Sequence, residues 1–165
     1  MKRTRSLSVG AAFVAGLLMA STALAVLYIY PGKGVGSARI RMNHREAAKR
    51  ISSTYKTVRD TRYSYVVYRT YVGKKMSNGR YPIELYSKSD KRVFRFQVNS
   101  SRYPTSKGVK IGSAESTVKS KYPKAKKYTS GQYTLYRLKH SIYSFSTYTE
   151  FYCKGGKVRF IIVRR

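Results

Sequence analysis

The chain has 165 residues, of which 35 are lysine or arginine and only 6 are aspartate or glutamate, giving a formal net charge of +29. Hydrophobic residues make up 42% of it, which is enough for a folded core and argues against general disorder. The six carboxylates, two histidines and one cysteine leave little material for an acid–base pair or a metal site, and no intramolecular disulfide can form. We therefore expect a small basic domain that is not an enzyme and has no cofactor.

An apolar run without any charged residue follows the basic N-terminus and extends from Leu7 to Tyr30. As a helix it would be about 36 Å long, whereas the hydrocarbon core of a bilayer is about 30 Å thick. The run predicts a cytoplasmic tail at residues 1–6 and a transmembrane anchor at residues 7–30, ended by Pro31. The protein would then be a single-pass cell-membrane protein whose C-terminal domain lies outside the cell.

A cleaved signal peptide is the alternative interpretation of the same run. Ala23-Leu24-Ala25 matches the small-residue pattern of a cleavage site, and cleavage after Ala25 would release a secreted protein. Under both interpretations, the glycine-rich residues 31–43 are expected to be a flexible tether. Residues 44–165 are expected to form a basic extracytoplasmic domain.

Apolar residues recur at helical spacing after Asn43, which can cap a helix with Glu46 as its capping-box partner. The recurring positions are Ala47, Ala48, Ile51, Tyr55 and Val58. They predict an amphipathic helix over residues 44–62 that packs on a sheet, with a basic membrane-surface helix as the alternative. A shorter helix is predicted over residues 114–122, ahead of Pro123.

Most of the chain after residue 62 has the composition of β-strands, because aromatic and β-branched residues dominate it. Strands are predicted at residues 63–72, 83–86, 93–98, 133–138, 142–153 and 158–163. Gly155-Gly156 predicts a tight hairpin between the last two. The expected fold class is therefore α+β, with an N-terminal transmembrane helix followed by a small antiparallel sheet and one or two packed helices.

The segment Gly108-Val109-Lys110-Ile111-Gly112-Ser113, with Val118 and Tyr122-Pro123 after it, has a pattern found in many small secreted bacterial envelope domains. The terminal hairpin, from Phe151 through Gly155-Gly156-Lys157 to Ile161, has the matching form. Residues 108–163 thus resemble small cell-envelope α+β domains, such as outer-membrane assembly lipoproteins and β-lactamase-inhibitor-like proteins. The resemblance implies a helix packed on an antiparallel sheet and no catalytic activity. No lipobox cysteine follows the apolar run, so the lipoprotein form is not implied.

Cys153 is the one candidate thiol nucleophile, and it invites comparison with sortase-type transpeptidases, which use a Cys with His and Arg nearby. His140 is the upstream candidate base, and Arg159 lies on the following predicted strand. The spacing does not fit that family, because His140 is too close to Cys153 in sequence. We therefore expect Cys153 to be a small buried hydrophobe. His44 and His140 show no metal-ligand spacing.

The candidate anion-binding residues fall into two basic clusters. One consists of Lys74, Lys75 and Arg80, and the other of Lys119, Lys121, Lys124, Lys126 and Lys127. Because a large excess of positive charge opposes folding, it indicates an anionic partner. We expect a membrane-tethered binding or structural module that contacts anionic cell-wall polymers or lipid head groups. The alternative is a nucleic-acid-binding protein that uses Lys and Arg for phosphates and Tyr for base stacking. The sequence predicts no particular oligomeric state.

Overall fold

The computed structural model describes residues 26–61, 66–142 and 144–165. Within these residues β-structure predominates, and both helices are short. The helices are α1 (His44–Lys49) and α2 (Glu115–Lys121), and the strands are β1 (Ile29–Tyr30), β2 (Gly34–Val35), β3 (Ala38–Arg39), β4 (Tyr55–Asp60), β5 (Val67–Val72), β6 (Ile83–Ser87), β7 (Val93–Val98), β8 (Lys126–Ser130), β9 (Tyr133–Ile142), β10 (Phe145–Lys154) and β11 (Lys157–Arg164).

The strands form two sheets. A small sheet has the order β1-β2-β3, and a large sheet has the order β4-β5-β6-β7-β11-β10-β9-β8. All neighbouring strands are antiparallel. The large sheet thus consists of two four-stranded meanders, each preceded by a short helix, and the pair β7–β11 is the seam that joins them.

Alternation of side chains explains why these residues form strands. In β7, Phe96 and Val98 are completely buried in the core, whereas Arg95 and Gln97 lie on the opposite face of the sheet. The β10–β11 hairpin turns through Gly155 and Gly156, whose φ values of 60° and 68° are the left-handed values that this tight turn requires.

The hydrophobic core lies on one face of the large sheet. Phe96, Phe151 and Ile161 are among its largest side chains, and each is completely buried. Burying a side chain of this size contributes about 1.5–3 kcal/mol. The elements that cover this face supply Ala47 and Ala48 from α1, Val118 from α2, and Ile29, Val35 and Ala38 from the small sheet. We call the other face of the large sheet the open face.

The predicted α+β fold class is wrong, because the described chain is dominated by the eight-stranded antiparallel sheet and has two short helices. No helix within the described ranges is long and apolar enough to cross a membrane. Ile29 and Tyr30, assigned to the end of the predicted anchor, instead form β1. This corrects the expectation of a single-pass membrane protein. Residues 1–25, which include the predicted cytoplasmic tail and cleavage signal, lie outside the described residues.

Residues 31–43 contain β2 and β3, where a flexible tether was expected. Val35 and Ala38 are completely buried, and the amide of Ile29 donates a 2.7 Å hydrogen bond to the carbonyl of Pro104. The small sheet is therefore part of the core. The glycines that suggested flexibility instead allow its tight turns.

The helix predicted over residues 44–62 ends at Lys49, although Asn43 does cap it by accepting a hydrogen bond from the Arg45 amide. Tyr55 and Val58 belong to β4, which pairs with β5 along its whole length. Tertiary pairing thus overrides a helical spacing that also fits an edge strand. The second predicted helix is confirmed as α2.

Candidate anion-binding cleft

The lysines of the 119–127 cluster stay together in the structure. Lys119 and Lys121 lie on α2, and Lys126 and Lys127 lie on the neighbouring edge strand β8. Lys119 Nζ lies 3.9 Å from a carboxylate oxygen of Glu115 and 6.0 Å from the centre of the Tyr136 ring. These are exposed side chains, so the cluster is a solvated basic surface rather than a shaped pocket.

The other predicted cluster is divided between two sites. Lys74 and Lys75 line a groove of about 290 Å³ beside Tyr71 and Tyr81, whose rings stack at 4.5 Å. Arg80 lies instead in a separate and larger cleft. Grouping Arg80 with Lys74 and Lys75 because they are close in sequence was therefore wrong.

The larger cleft has a volume of about 590 Å³ and lies where the ends of β7 and β10 meet the beginnings of β9 and β11. Its basic residues are Arg80, Lys154, Lys157 and Arg159, and no aspartate or glutamate lines it. Among the described residues, none of these four side chains forms a salt bridge with a carboxylate. We call this site the basic cleft.

Sequence reasoning missed three of the four cations in the basic cleft, because they are not clustered in a lysine-rich run. Lys154 and Lys157 flank the Gly155-Gly156 turn, and Arg159 is the extra residue of a β-bulge in β11. The bulge is visible in the register, where Tyr152 pairs with Phe160 but Cys153 pairs with Val158. Two lysines flanking a glycine turn, with an arginine two residues later, are the signal that could have indicated the site.

Hydrogen bonds to neutral acceptors position the side chains of Lys154 and Arg159 and the backbone of Arg80. Arg159 Nε donates to the Lys154 carbonyl at 3.1 Å, and Lys154 Nζ donates to Gln132 Oε1 at 2.5 Å. Asn78 Oδ1 accepts the Arg80 amide at 3.1 Å. All four cationic side chains are exposed to solvent and none has a carboxylate partner among the described residues, so an anion in the cleft can form charge-assisted hydrogen bonds with them.

Aromatic rings connect the basic cleft to the open face. Tyr133 lines the cleft and meets Phe160 edge-on at 5.2 Å. Phe160 stacks on Tyr152 at 4.4 Å, and the Tyr152 hydroxyl donates to Glu150 Oε2 at 3.3 Å. The aromatic contacts therefore continue from the cleft to the ion pairs of the open face.

A row of arginine and tyrosine crosses the open face from β5 to β10. In register order its members are Arg69, Tyr86, Arg95, Arg164 and Tyr148, with Lys139 on β9 as the next position. The Tyr86 ring lies between the guanidinium groups of Arg69 and Arg95, at 4.8 and 4.7 Å. Arg164 lies 5.1 Å from the Tyr148 ring. Cation–π contacts thus order these long side chains across the sheet.

Glu150 is the most deeply buried carboxylate of the open face, with 1% of its side chain exposed. Burial alone would raise its pKa. Hydrogen bonds and charge from Arg164, at 2.9 Å, and Arg137, at 2.7 Å, outweigh this effect and lower the pKa of Glu150. Glu150 is therefore ionised at neutral pH and offsets one of its two arginines.

The residues considered for thiol chemistry lie apart. Cys153 pairs with Thr134, whereas His140 pairs with Thr147, six residues away along β10 or about 20 Å. Cys153 is 1% exposed, and burial together with the charge of Glu115 raises its pKa to about 11. A buried thiol with a raised pKa has the opposite properties to an activated nucleophile. No group of three metal-ligating side chains occurs in the described ranges.

We expect Cys153 in the folded protein to resist alkylation by iodoacetamide at pH 8, because the thiol is buried and protonated. Mass spectrometry before and after unfolding in guanidinium would measure this, with full labelling only after unfolding. Cys153→Ala is expected to leave polyanion affinity unchanged. Rapid labelling of the native protein, together with loss of binding in the folded alanine variant, would contradict the packing role.

No protein-family description matches the chain, and no curated protein matches it either. Among solved structures, it is similar to the crystal structure of the uncharacterized protein YfeY from Escherichia coli, with a TM-score of 0.58 and 20% sequence identity. The match covers 84% of this chain and 99% of that one. At this identity the similarity concerns the fold alone, so the chain shares its overall fold with YfeY.

Proposed function

We propose that the protein is a binding module for anionic polymers and that the basic cleft is its principal binding site. The observation that carries this proposal is the convergence of Arg80, Lys154, Lys157 and Arg159 on one cleft without a lining carboxylate. Clustered cations without carboxylate partners favour an oxyanion such as phosphate. The cluster of residues 119–127 contributes a weaker attraction that depends strongly on salt.

Phosphate-rich wall polymers are the ligand class that we favour, and anionic lipid head groups offer the same chemistry in a surface. This choice rests on the sequence pattern of residues 108–163 alone, since the structural similarity is to YfeY and not to the outer-membrane assembly lipoproteins or β-lactamase-inhibitor-like proteins. Single-stranded nucleic acid is the second candidate, and one observation favours it. Tyr133 in the cleft and the stacked pair Tyr71–Tyr81 beside Lys74 and Lys75 combine a ring with a cation, as base-stacking sites do.

The test compares two fourfold substitutions in the full chain. Arg80, Lys154, Lys157 and Arg159 are each replaced by Gln in the first, and Lys119, Lys121, Lys124 and Lys126 are each replaced by Gln in the second. Each cation near an anionic surface is worth about 1 kcal/mol, or about fivefold in affinity. Four full contributions would amount to a loss of about 600-fold, and we expect at least a 50-fold loss of polyphosphate affinity for the cleft variant. The matched control should lose clearly less, because the lysines of the 119–127 cluster contribute only a weaker attraction.

Affinities are measured across a salt series with three probes: polyphosphate, phosphatidylglycerol vesicles and single-stranded oligothymidylate. Equal losses for the two variants, with both still folded by circular dichroism, would contradict a principal site in the cleft. A marked preference for oligothymidylate that is lost in Tyr133→Leu would favour the nucleic-acid alternative. Absence of binding to every probe at low salt would refute anion binding altogether.

A further inference from the structure

We propose that an extended polyanion bound in the basic cleft continues onto the open face and places one of its anionic groups at Arg95. This inference rests on the proposed function, and it specifies the ligand as a linear polymer rather than a small anion. It is carried by three features of the open face: an arginine without a carboxylate, a pair of arginines on adjacent strands, and an aromatic connection to the cleft.

Arg95 differs from the other arginines of its row in its partner. Arg69 lies 3.3 Å from Asp60 and 3.7 Å from Glu84, and Arg164 lies 2.9 Å from Glu150. Arg95 instead donates to the neutral Gln97 Oε1 at 2.5 Å. No carboxylate in the part of the chain that the structure describes forms a salt bridge with Arg95. The central position of the row therefore keeps an uncompensated positive charge.

The surroundings of Arg95 make its positive charge energetically unfavourable in the folded protein. Its Nε is buried and has no hydrogen-bond partner among the described residues, and a buried polar group without a partner costs free energy. Arg164 lies directly opposite Arg95 on β11, and like charges directly opposite in a sheet repel each other. The Tyr86 ring holds the Arg95 guanidinium in place at 4.7 Å. An oxyanion beside Arg95 and Arg164 would reduce this repulsion.

The distance between the two sites determines the kind of ligand. Arg159 in the cleft and Arg164 on the open face are five residues apart on β11, which corresponds to about 16 Å. A single phosphate cannot reach both, whereas an extended polyanion can. Its path would follow Phe160 and Tyr152, whose stacked rings lie between the two sites. Glu150, the carboxylate along this path, is already neutralised by Arg137 and Arg164.

The two glutamines of the chain provide a matched test, because Gln→Glu changes charge by the same amount at each site. Gln97→Glu gives Arg95 a carboxylate, and Gln132→Glu gives one to Lys154 in the cleft. The affinity of the full chain is measured for linear polyphosphates shorter and longer than about 16 Å. We expect Gln97→Glu to weaken binding of the long chains about fivefold and leave the short ones unchanged. Gln132→Glu should weaken binding of both.

Arg95→Gln is the second variant, because Glu84 lies opposite position 97 and Gln97→Glu can lower stability. It removes the positive charge without introducing a carboxylate and should reproduce the length-dependent loss. Asn43→Asp, a remote change that adds the same charge and preserves a good helix cap, should alter neither affinity. If Gln97→Glu and Arg95→Gln leave long-chain affinity unchanged while Gln132→Glu lowers it, the open-face path is wrong and cleft binding stands. If Gln132→Glu and the cleft variant have no effect, the proposed function itself fails.

Discussion

Gly34→Ala is expected to lower the free energy of unfolding by about 3–5 kcal/mol, near the upper end of single-substitution effects. A Cβ at Gly34 would collide with the carbonyl oxygen of Ala38 and come within 3.0 Å of its carbon and 3.1 Å of the Arg39 Cα. These are backbone atoms of β3, so they cannot rotate away. The collision would separate β2 from β3 and expose Val35 and Ala38, which are completely buried. Urea unfolding followed by circular dichroism measures the loss.

Gly108→Ala is the matched control for this prediction. Gly108 also has a positive φ, 82°, but nothing lies within 4 Å of the added Cβ. Its substitution should cost only the backbone strain, about 1–2 kcal/mol. If residues 31–43 were a flexible tether, Gly34→Ala would leave stability unchanged. Comparable costs for the two variants would show that the contact between β2 and β3 does not stabilise the domain.

Glu150→Gln is expected to destabilise the domain by about 2–3 kcal/mol at pH 7. Removing one partner of a buried ion pair typically costs about 3–5 kcal/mol, and the value is reduced here because the two arginines are partly exposed to solvent. Their side chains are 32% exposed for Arg137 and 33% for Arg164, against 1% for Glu150. The measurement is urea unfolding of both proteins at pH 7. Arg137→Gln removes one arginine and leaves Arg164, so it should cost less.

The same ion pairs make the stability of the wild-type protein depend on pH. The pKa of Glu150 is lowered from its ordinary value of 4.5, because Arg164 and Arg137 outweigh the effect of burial. The stabilisation is therefore complete above pH 4.5 and is lost as the pH falls through the lower pKa of the folded state. Glu150→Gln should lack this part of the acid transition. Parallel loss of stability below pH 4.5 in both proteins would contradict the assignment.

Six of the eleven described strands were predicted from sequence, whereas β1–β4 and β8 were not. Residues 29–30 were assigned to a membrane anchor, residues 31–43 to a tether and residues 55–60 to a helix. Aromatic and β-branched residues determine strands such as β7 and the Gly155-Gly156 hairpin locally, so their pattern is sufficient. Ile29 and Tyr30 continue an apolar run, which is why they were assigned to the anchor. Ile29 is instead held by pairing within the small sheet and by a hydrogen bond to the Pro104 carbonyl, and neither contact can be inferred from the run itself. Tyr55 and Val58 fit a helix and a strand equally well by spacing, and pairing with β5 decides between them.

The candidate site was less predictable than the fold, because it depends on contacts between distant residues. Lysine-rich runs identify exposed surface, and the 119–127 cluster is one. The basic cleft brings Arg80 together with Lys154 and Arg159 from the last hairpin. Arg95 is distinguished by its neutral partner Gln97, whereas the other arginines of its row have carboxylate partners. This difference becomes visible only once the strand register is known.

The seam between the two meanders has a consequence for the order of folding. Every other strand pair of the large sheet joins consecutive strands, so it closes a short loop, but β7 and β11 pair residues such as Phe96 and Val163 that are far apart in the chain. Closing long loops costs more conformational entropy, and such pairings form late. Each meander is therefore expected to form its hairpins before the seam closes. In a kinetic unfolding experiment, weakening the seam with Val163→Ala should mainly accelerate unfolding and leave the refolding rate nearly unchanged.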